Sequence, residues 1–307
     1  MAKTSFQYGG QAVIEGVMMR GPKRYAVAVR KPGGDIVLDE KPISSLMERF
    51  AFLKWPFIRG FIALLESLLI GIKTLTYSAN QAGEEEEEEL TRWEMVVTIS
   101  MAVGLAVLLF IVLPTGAAHY LENWFTPFWQ NFMEGLIRIA VFIIYVVAIS
   151  QMKDIQRVFQ YHGAEHKVIH TYEAGKELTA ENAGKFSAMH PRCGTSFLLL
   201  VLILTVIVYS FLHTPQLWWR ILSRVLLLPV IAGIGYEILK FSGKHAAHPL
   251  MRILIAPGLW LQKLTTREPE ESQLEVAIKA LEAVLEGKQT ADLTLACQNL
   301  SPTDMKE

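Results

Sequence analysis

The chain has 307 residues, 51% hydrophobic, 19% charged and 10% aromatic, with a mean hydropathy of +0.29. Its 29 Lys+Arg against 30 Asp+Glu leave no basic excess to neutralise phosphates, which argues against nucleic acid as a partner. The charged fraction is too low for a disordered chain, and two cysteines cannot make a disulfide scaffold. A positive hydropathy at this length implies instead that lipid solvates part of the chain.

Residues 8–44 read as a small β unit. The runs AVIEGVMM and YAVAVR are apolar and β-branched, and Lys31-Pro32-Gly33-Gly34-Asp35 before Ile36-Val37-Leu38 is a hairpin signal. The glycines here read as turns and bulges, since no GxxxxGK opens a helix. In Phe57–Tyr77, Arg59, Glu66 and Lys73 recur every seven residues, so successive charges drift only about 20° around a helix. One charged stripe on an apolar helix suits a position in the membrane plane. Six glutamates at 84–89 then form an acidic linker.

Four segments follow that are apolar enough to span a bilayer core, which takes roughly 20 residues. Met95–Ala117 and Ser196–Leu212 carry no charge, whereas Phe132–Met152 contains Arg138, and Leu217–Leu239 contains Arg220, Arg224 and Glu237. Arg138 and Arg224 fall toward the outer ends of their spans, where an anion or lipid-headgroup path and simple snorkelling both explain them. Glu237 can pair with Lys240 or face the histidines described below. Neither Ala118–Asn131 nor His213–Trp219 contains Lys or Arg, while Lys153–Arg192 holds six. The positive-inside rule therefore puts both short loops outside and both termini on the cytoplasmic side. Trp124, Trp129, Trp218 and Trp219 supply the outer aromatic belt. The N-terminal MAKTSFQYGGQ has no apolar stretch of the signal-peptide kind.

The expected fold is thus a mainly α membrane protein of four transmembrane helices in two hairpins. Residues 1–55 form the cytoplasmic β unit, 56–92 the interfacial helix and acidic linker, and 93–240 the membrane domain with its His-rich segment 153–194. Residues 241–307 form a cytoplasmic amphipathic helix and tail. That helix begins at the S-x-x-E box Ser272–Glu275, repeats apolar residues at 274, 277, 278, 281, 284 and 285, ends at Gly287, and docks on a partner or on its own domain.

The chemistry-bearing residues lie between the second and third spans. On a helix, His162, His166, His170 and Glu173 fall at about 0°, 40°, 80° and 20°, with Glu165 at about −60°. Two imidazoles one turn apart can share a divalent cation, zinc above all, with a carboxylate beside them to move a water proton. His-x-x-Glu-His is also the spacing of the inverzincin peptidases, although no second helix here supplies their distant glutamate. His190 and Cys193 stand at the start of the third span, and the loop 175–189 can return the chain to bring them to His162. Cys193 lacks the Cys-x5-Arg of a phosphatase loop, because position 199 is Leu. His245 and His248 form a second, weaker pair.

GGQAVIEGVMMRGP at 9–22, ISQMKDIQRVFQYHGAEHKVIHTYE at 149–173, ENA at 181–183, HPRCGTSF at 190–197 and APGLWLQKLTTREP with QLEVA toward the C-terminus resemble the bacterial DUF1385 family over nearly the whole chain. The resemblance implies a predicted metal-dependent membrane enzyme. It places His162, Glu165, His166, His190 and Cys193 in characteristic motifs, together with Glu15 and Arg20. On that basis His162 and His166 are the expected metal ligands, completed by His190 or Cys193. Glu165 is the expected general base of a hydrolase, and Glu15 and Arg20 the substrate-binding residues of the β unit. The alternative is a non-enzymatic scaffold that docks a membrane-protein partner and holds a structural metal or none.

Overall fold

A computed structural model describes residues 8–83, 92–120, 124–212, 216–244 and 248–299. The acidic run 84–89, His213 and His245 lie outside them. The chain begins with a four-stranded antiparallel meander in the order β1 (Gly9–Val13), β2 (Gly16–Arg20), β3 (Arg24–Arg30) and β4 (Ile36–Pro42). The β3–β4 turn is the expected one, with Gly34 at φ 92° and its N–H on the Lys31 carbonyl. Between β1 and β2, Glu15 adopts φ 51°, a strained conformation for a non-glycine residue. Its carboxylate is gripped by Arg157 and by the Tyr161 hydroxyl (3.2 Å), which holds the turn on the helix beneath.

Alternation along the strands feeds two cores. Val17, Met19, Ala26 and Ala28 pack on one face with Tyr161, Ala164 and Val168 and with Leu274, Ala277, Leu281 and Val284. Val13, Met18, Tyr25, Val27 and Val29 pack on the other with Ile70 and Tyr77. Burial on both faces explains why the sequence here is continuously apolar instead of alternating with polar residues.

Short turns α1 (Leu46–Arg49) and a 3-10 segment, Ala51–Lys54, lead into α2 (Ile58–Ala82). Two of the three stripe charges of α2 face protein, while Lys73 is exposed: Arg59 forms two hydrogen bonds to Glu237 (2.5 and 2.6 Å), and buried Glu66 accepts from Ser45 and pairs with Arg20. Leu65, Leu68 and Leu69 are left exposed. Glu237 thus pairs with Arg59, not with Lys240 or the histidines, because the start of α2 packs against residues 233–237 of the helix that carries it.

α3 (Arg92–Val107), a π turn at Leu108–Val112 and α4 (Leu113–Tyr120) form one rod, followed by α5 (Pro127–Ile149) and α6 (Lys153–Glu173). Pro114 has no N–H to offer the Phe110 carbonyl four residues earlier. Arg138 Nε takes that acceptor at 2.8 Å. After α7 (Ala180–Gly184) come α8 (Gly194–Ser210), α9 (Leu217–Lys244), α10 (Pro249–Thr265) and α11 (Glu271–Asn299). Among the described residues, three helices are long and apolar enough to cross a membrane: Trp93–Tyr120, Pro127–Ile149 and Trp218–Ser242. α8, the expected third span, has 17 helical residues, about 25 Å against a bilayer core of about 30 Å.

The capping of α11 differs from its sequence signal. Gln273 accepts from the Glu270 N–H (2.9 Å), so the reciprocal cap lies two residues earlier than Ser272. Arg30 of β3 instead holds the Ser272 carbonyl and Glu275. The helix packs on its own sheet and runs through Gly287 to Asn299.

Candidate metal centre

α6 carries His162, His166 and His170 along one face, as 3.6 residues per turn require. Its close fit to its neighbours depends on Gly163, where a Cβ would meet the Arg267 carbonyl at 2.1 Å. Gly175, at φ 64°, starts the return of the chain through α7 to His190. Cys193 then caps the N-terminus of α8, its Sγ accepting from the Thr195 N–H. The rings form a chain with centroid separations of 4.4 Å for His162–His166, 5.6 Å for His166–His190 and 4.6 Å for His190–His170.

Backbone carbonyls fix which nitrogens are free. The Thr265 carbonyl lies 2.8 Å from His162 Nδ1 and the Ala188 carbonyl 2.6 Å from His166 Nδ1. A carbonyl only accepts, so both Nδ1 atoms carry hydrogen and both Nε2 atoms are left as lone-pair donors. This backbone support is the usual environment of a metal-ligating imidazole. His162 Nε2 lies 3.1 Å from Cys193 Sγ, and the ligand atoms of His162, His166 and Cys193 all fall within 4.8 Å of one another. Two imidazoles and a thiolate are donors that suit zinc.

His170, Glu173 and His190 form a second trio within the same limit. His190 therefore sits beside the first trio but turns its nitrogens elsewhere, Nε2 to Glu173 at 3.6 Å and Nδ1 to the Arg192 N–H. Burial pushes His190 down to about 4, against the pull of Glu173. Glu173 is held at about 2: burial raises it, but His190 and Arg192 together outweigh that. With Arg192 as counter-ion the second trio is already neutralised, whereas no basic side chain pairs with the first among the described residues.

Glu165 lines a cavity of about 90 Å³ with His162, His166, His190, Arg192, Cys193 and the start of β1. Its Oε1 accepts the Gly10 N–H at 2.8 Å, an approach that a side chain at Gly10 would block. Burial pushes the Glu165 carboxyl up, opposed by the charge of His162 and by that N–H. Glu15 and Arg20 are not among the residues lining this cavity. Glu15 faces Arg157 and Tyr161, and Arg20 faces Glu66 and Ser67, which fasten the sheet to α6 and α2. His248 is among the described residues and His245 is not, so the expected second pair lies partly outside them.

Gln262 of α10 had no role in the sequence reading. Fully buried, it accepts the His190 N–H and donates to the His190 carbonyl, both at 2.8 Å, and donates to Ser196 Oγ at the same distance. It locks the loop that presents His190 and Cys193. Its only signal was its place in APGLWLQKLTT.

Fold and site define a mostly helical protein, with helices long and apolar enough to cross a membrane, in which a small sheet borders a histidine- and cysteine-lined cavity. The family model described as "Protein of unknown function (DUF1385)" matches residues 55–287, and the chain belongs to that family. It is also similar to the "Uncharacterized protein YqhQ" of Bacillus subtilis (strain 168), 36% identical over 292 residues that cover 91% of this chain and 92% of that protein. No solved structure matches.

Proposed function

We propose that the chain is a bacterial plasma-membrane protein with a divalent-metal site at its cytoplasmic face, and that it is a metal-dependent hydrolase. α3 with α4, α5, α8 and α9 are read as four spans in two hairpins, α2 as a helix in the membrane plane with its leucines toward lipid, and both termini as cytoplasmic. The observation that carries the metal reading is the convergence of His162, His166 and Cys193 within 4.8 Å, with both imidazoles oriented by carbonyls. The donor set fits zinc, which when bound supplies a Lewis acid that lowers the pKa of water and polarises a scissile bond. Glu165, adjoining the trio and raised by burial, takes the proton from the attacking water and returns it to the leaving group. The Gly10 N–H keeps one of its oxygens in place. Glu15 and Arg20 are assigned to holding the sheet over the site instead of to substrate.

A scaffold reading, with the metal serving only to fasten α6 to α8 and a membrane protein as partner, is favoured by the burial of His166 and Cys193 (2% and 6% exposed). Glu165→Gln separates the two. A hydrolase keeps its metal and loses about 10²-fold or more of its activity, read as failure to complement a strain lacking its own family member. Complementation at the wild-type level supports the scaffold.

A further inference from the structure

A second polar cluster lies at the far end of α8 from the histidines. Tyr209 is sixteen residues from Cys193, about 24 Å along the helix. Near it are Glu134 and Arg138 of α5 and Arg220 and Arg224 of α9, none more than 5% exposed. Glu134 accepts from Arg138 at 2.7 Å and from Arg224 at 3.1 and 3.2 Å, and Asn131 Oδ1 takes a further Arg224 hydrogen. Arg138 also holds the Phe110 carbonyl, and Arg220 Nη2 reaches Gln130 Oε1 at 3.1 Å. Those acceptors leave Arg220 Nε and Nη1 and Arg224 Nη1 buried without a partner. The Tyr209 ring, 4.4 Å from the Arg224 guanidinium, offers its π face but no lone pair for these N–H groups. Three guanidinium groups against one carboxylate leave two positive charges without a counter-ion among the described residues. Buried charges persist when they are paired, so the cluster calls for an anion.

A groove of about 290 Å³ reaches the cluster. Arg138 and Arg224 are its charged residues, and the rest of its wall is mostly apolar, including Val107, Ile111, Leu202 and Leu228. An inorganic anion gains nothing from that wall, and a zwitterionic lipid brings a cation to a site already positive.

We propose that this groove binds an acidic lipid, its phosphate or carboxylate head at Arg224 with the charge of Arg220 one turn away, and its acyl chain between α3 and α8. The inference does not depend on the metal site.

Full-length protein in a mild detergent would be titrated with phosphatidylglycerol, oleate, phosphatidylcholine and inorganic phosphate, with Tm and native mass spectrometry as readouts. The expected result is about one tightly held acidic lipid per chain, a higher Tm with phosphatidylglycerol or oleate, and no shift with phosphatidylcholine or phosphate. The stronger of the two acidic probes identifies the head. Arg224→Gln should weaken binding about tenfold or more. Leu202→Trp, which fills the groove without touching a charge, should do so with unchanged circular dichroism. Equal binding of phosphatidylcholine, a full shift with inorganic phosphate alone, or wild-type affinity in Leu202→Trp would overturn the proposal. If Arg224→Gln fails to fold, the head-group selectivity of the wild type and Leu202→Trp still decide it.

Discussion

Nε2 of His162 lies 3.1 Å from Sγ of Cys193, although one residue is inside α6 and the other caps α8. A ligand shared by those two atoms ties the His-rich helix to the apolar one, so metal occupancy is coupled to folding. Adding a strong chelator should lower the Tm of wild-type protein, by the equivalent of about 4 kcal/mol when metal stands at a thousand times its Kd. Cys193→Ser should shrink that difference. An unchanged Tm on chelation of metal-loaded protein would argue against the coupling.

Gln262→Leu should be among the most damaging single changes outside the ligands. It leaves the His190 N–H, the His190 carbonyl and the Ser196 hydroxyl to find new partners in a buried place. We expect a loss of about 3 kcal/mol in denaturant unfolding and weakened metal binding. Gln262→Glu, which keeps the acceptor to the His190 N–H, should cost less. Equal stability of Gln262→Leu and wild type would show that the clamp is dispensable.

The metal-free protein should lose stability in mild acid. His190 titrates at about 4 in the folded chain, against an ordinary 6.5. Between those values the unfolded chain binds the additional proton, so stability is complete above about 6.5 and is lost as pH falls through 4. Glu173, at about 2 against 4.5, acts in a lower window. A Tm series in chelator from pH 7 to 4 should fall for wild type and flatten in His190→Asn. Equal slopes would contradict the assignment.

The four-span arrangement is tested by labelling. A cysteine at Trp124 should react with a membrane-impermeant maleimide in intact cells, and one at Asp35 only after lysis. The reverse pattern, or labelling of both in intact cells, would overturn the proposed topology.

Much of the architecture could be read from local signals. The β3–β4 turn, the apolar helices and the common face of His162, His166 and His170 each depend on residues within a few positions of one another. What escaped depended on distant contacts. The charges of α2 pointed to a helix with one polar face, but nothing local could show that Arg59 would meet Glu237, 178 residues away. The cap of α11 moved because Arg30, from β3, captures Ser272 and Glu275. In the site, spacing brought the three histidines of α6 together, and the length of the 175–189 loop allowed His190 and Cys193 to return to them. Glu173, placed on the same face, and Gln262 gained their roles only when the loop after α7 returned to α6.

The most direct test of the account is metal analysis of the protein purified from the membrane in mild detergent without chelator. The wild type and Glu165→Gln should each carry about one equivalent of zinc per chain, and His162→Ala and His166→Ala should lose it. Less than about a tenth of an equivalent in the wild type, or full retention in both alanine variants, would contradict it.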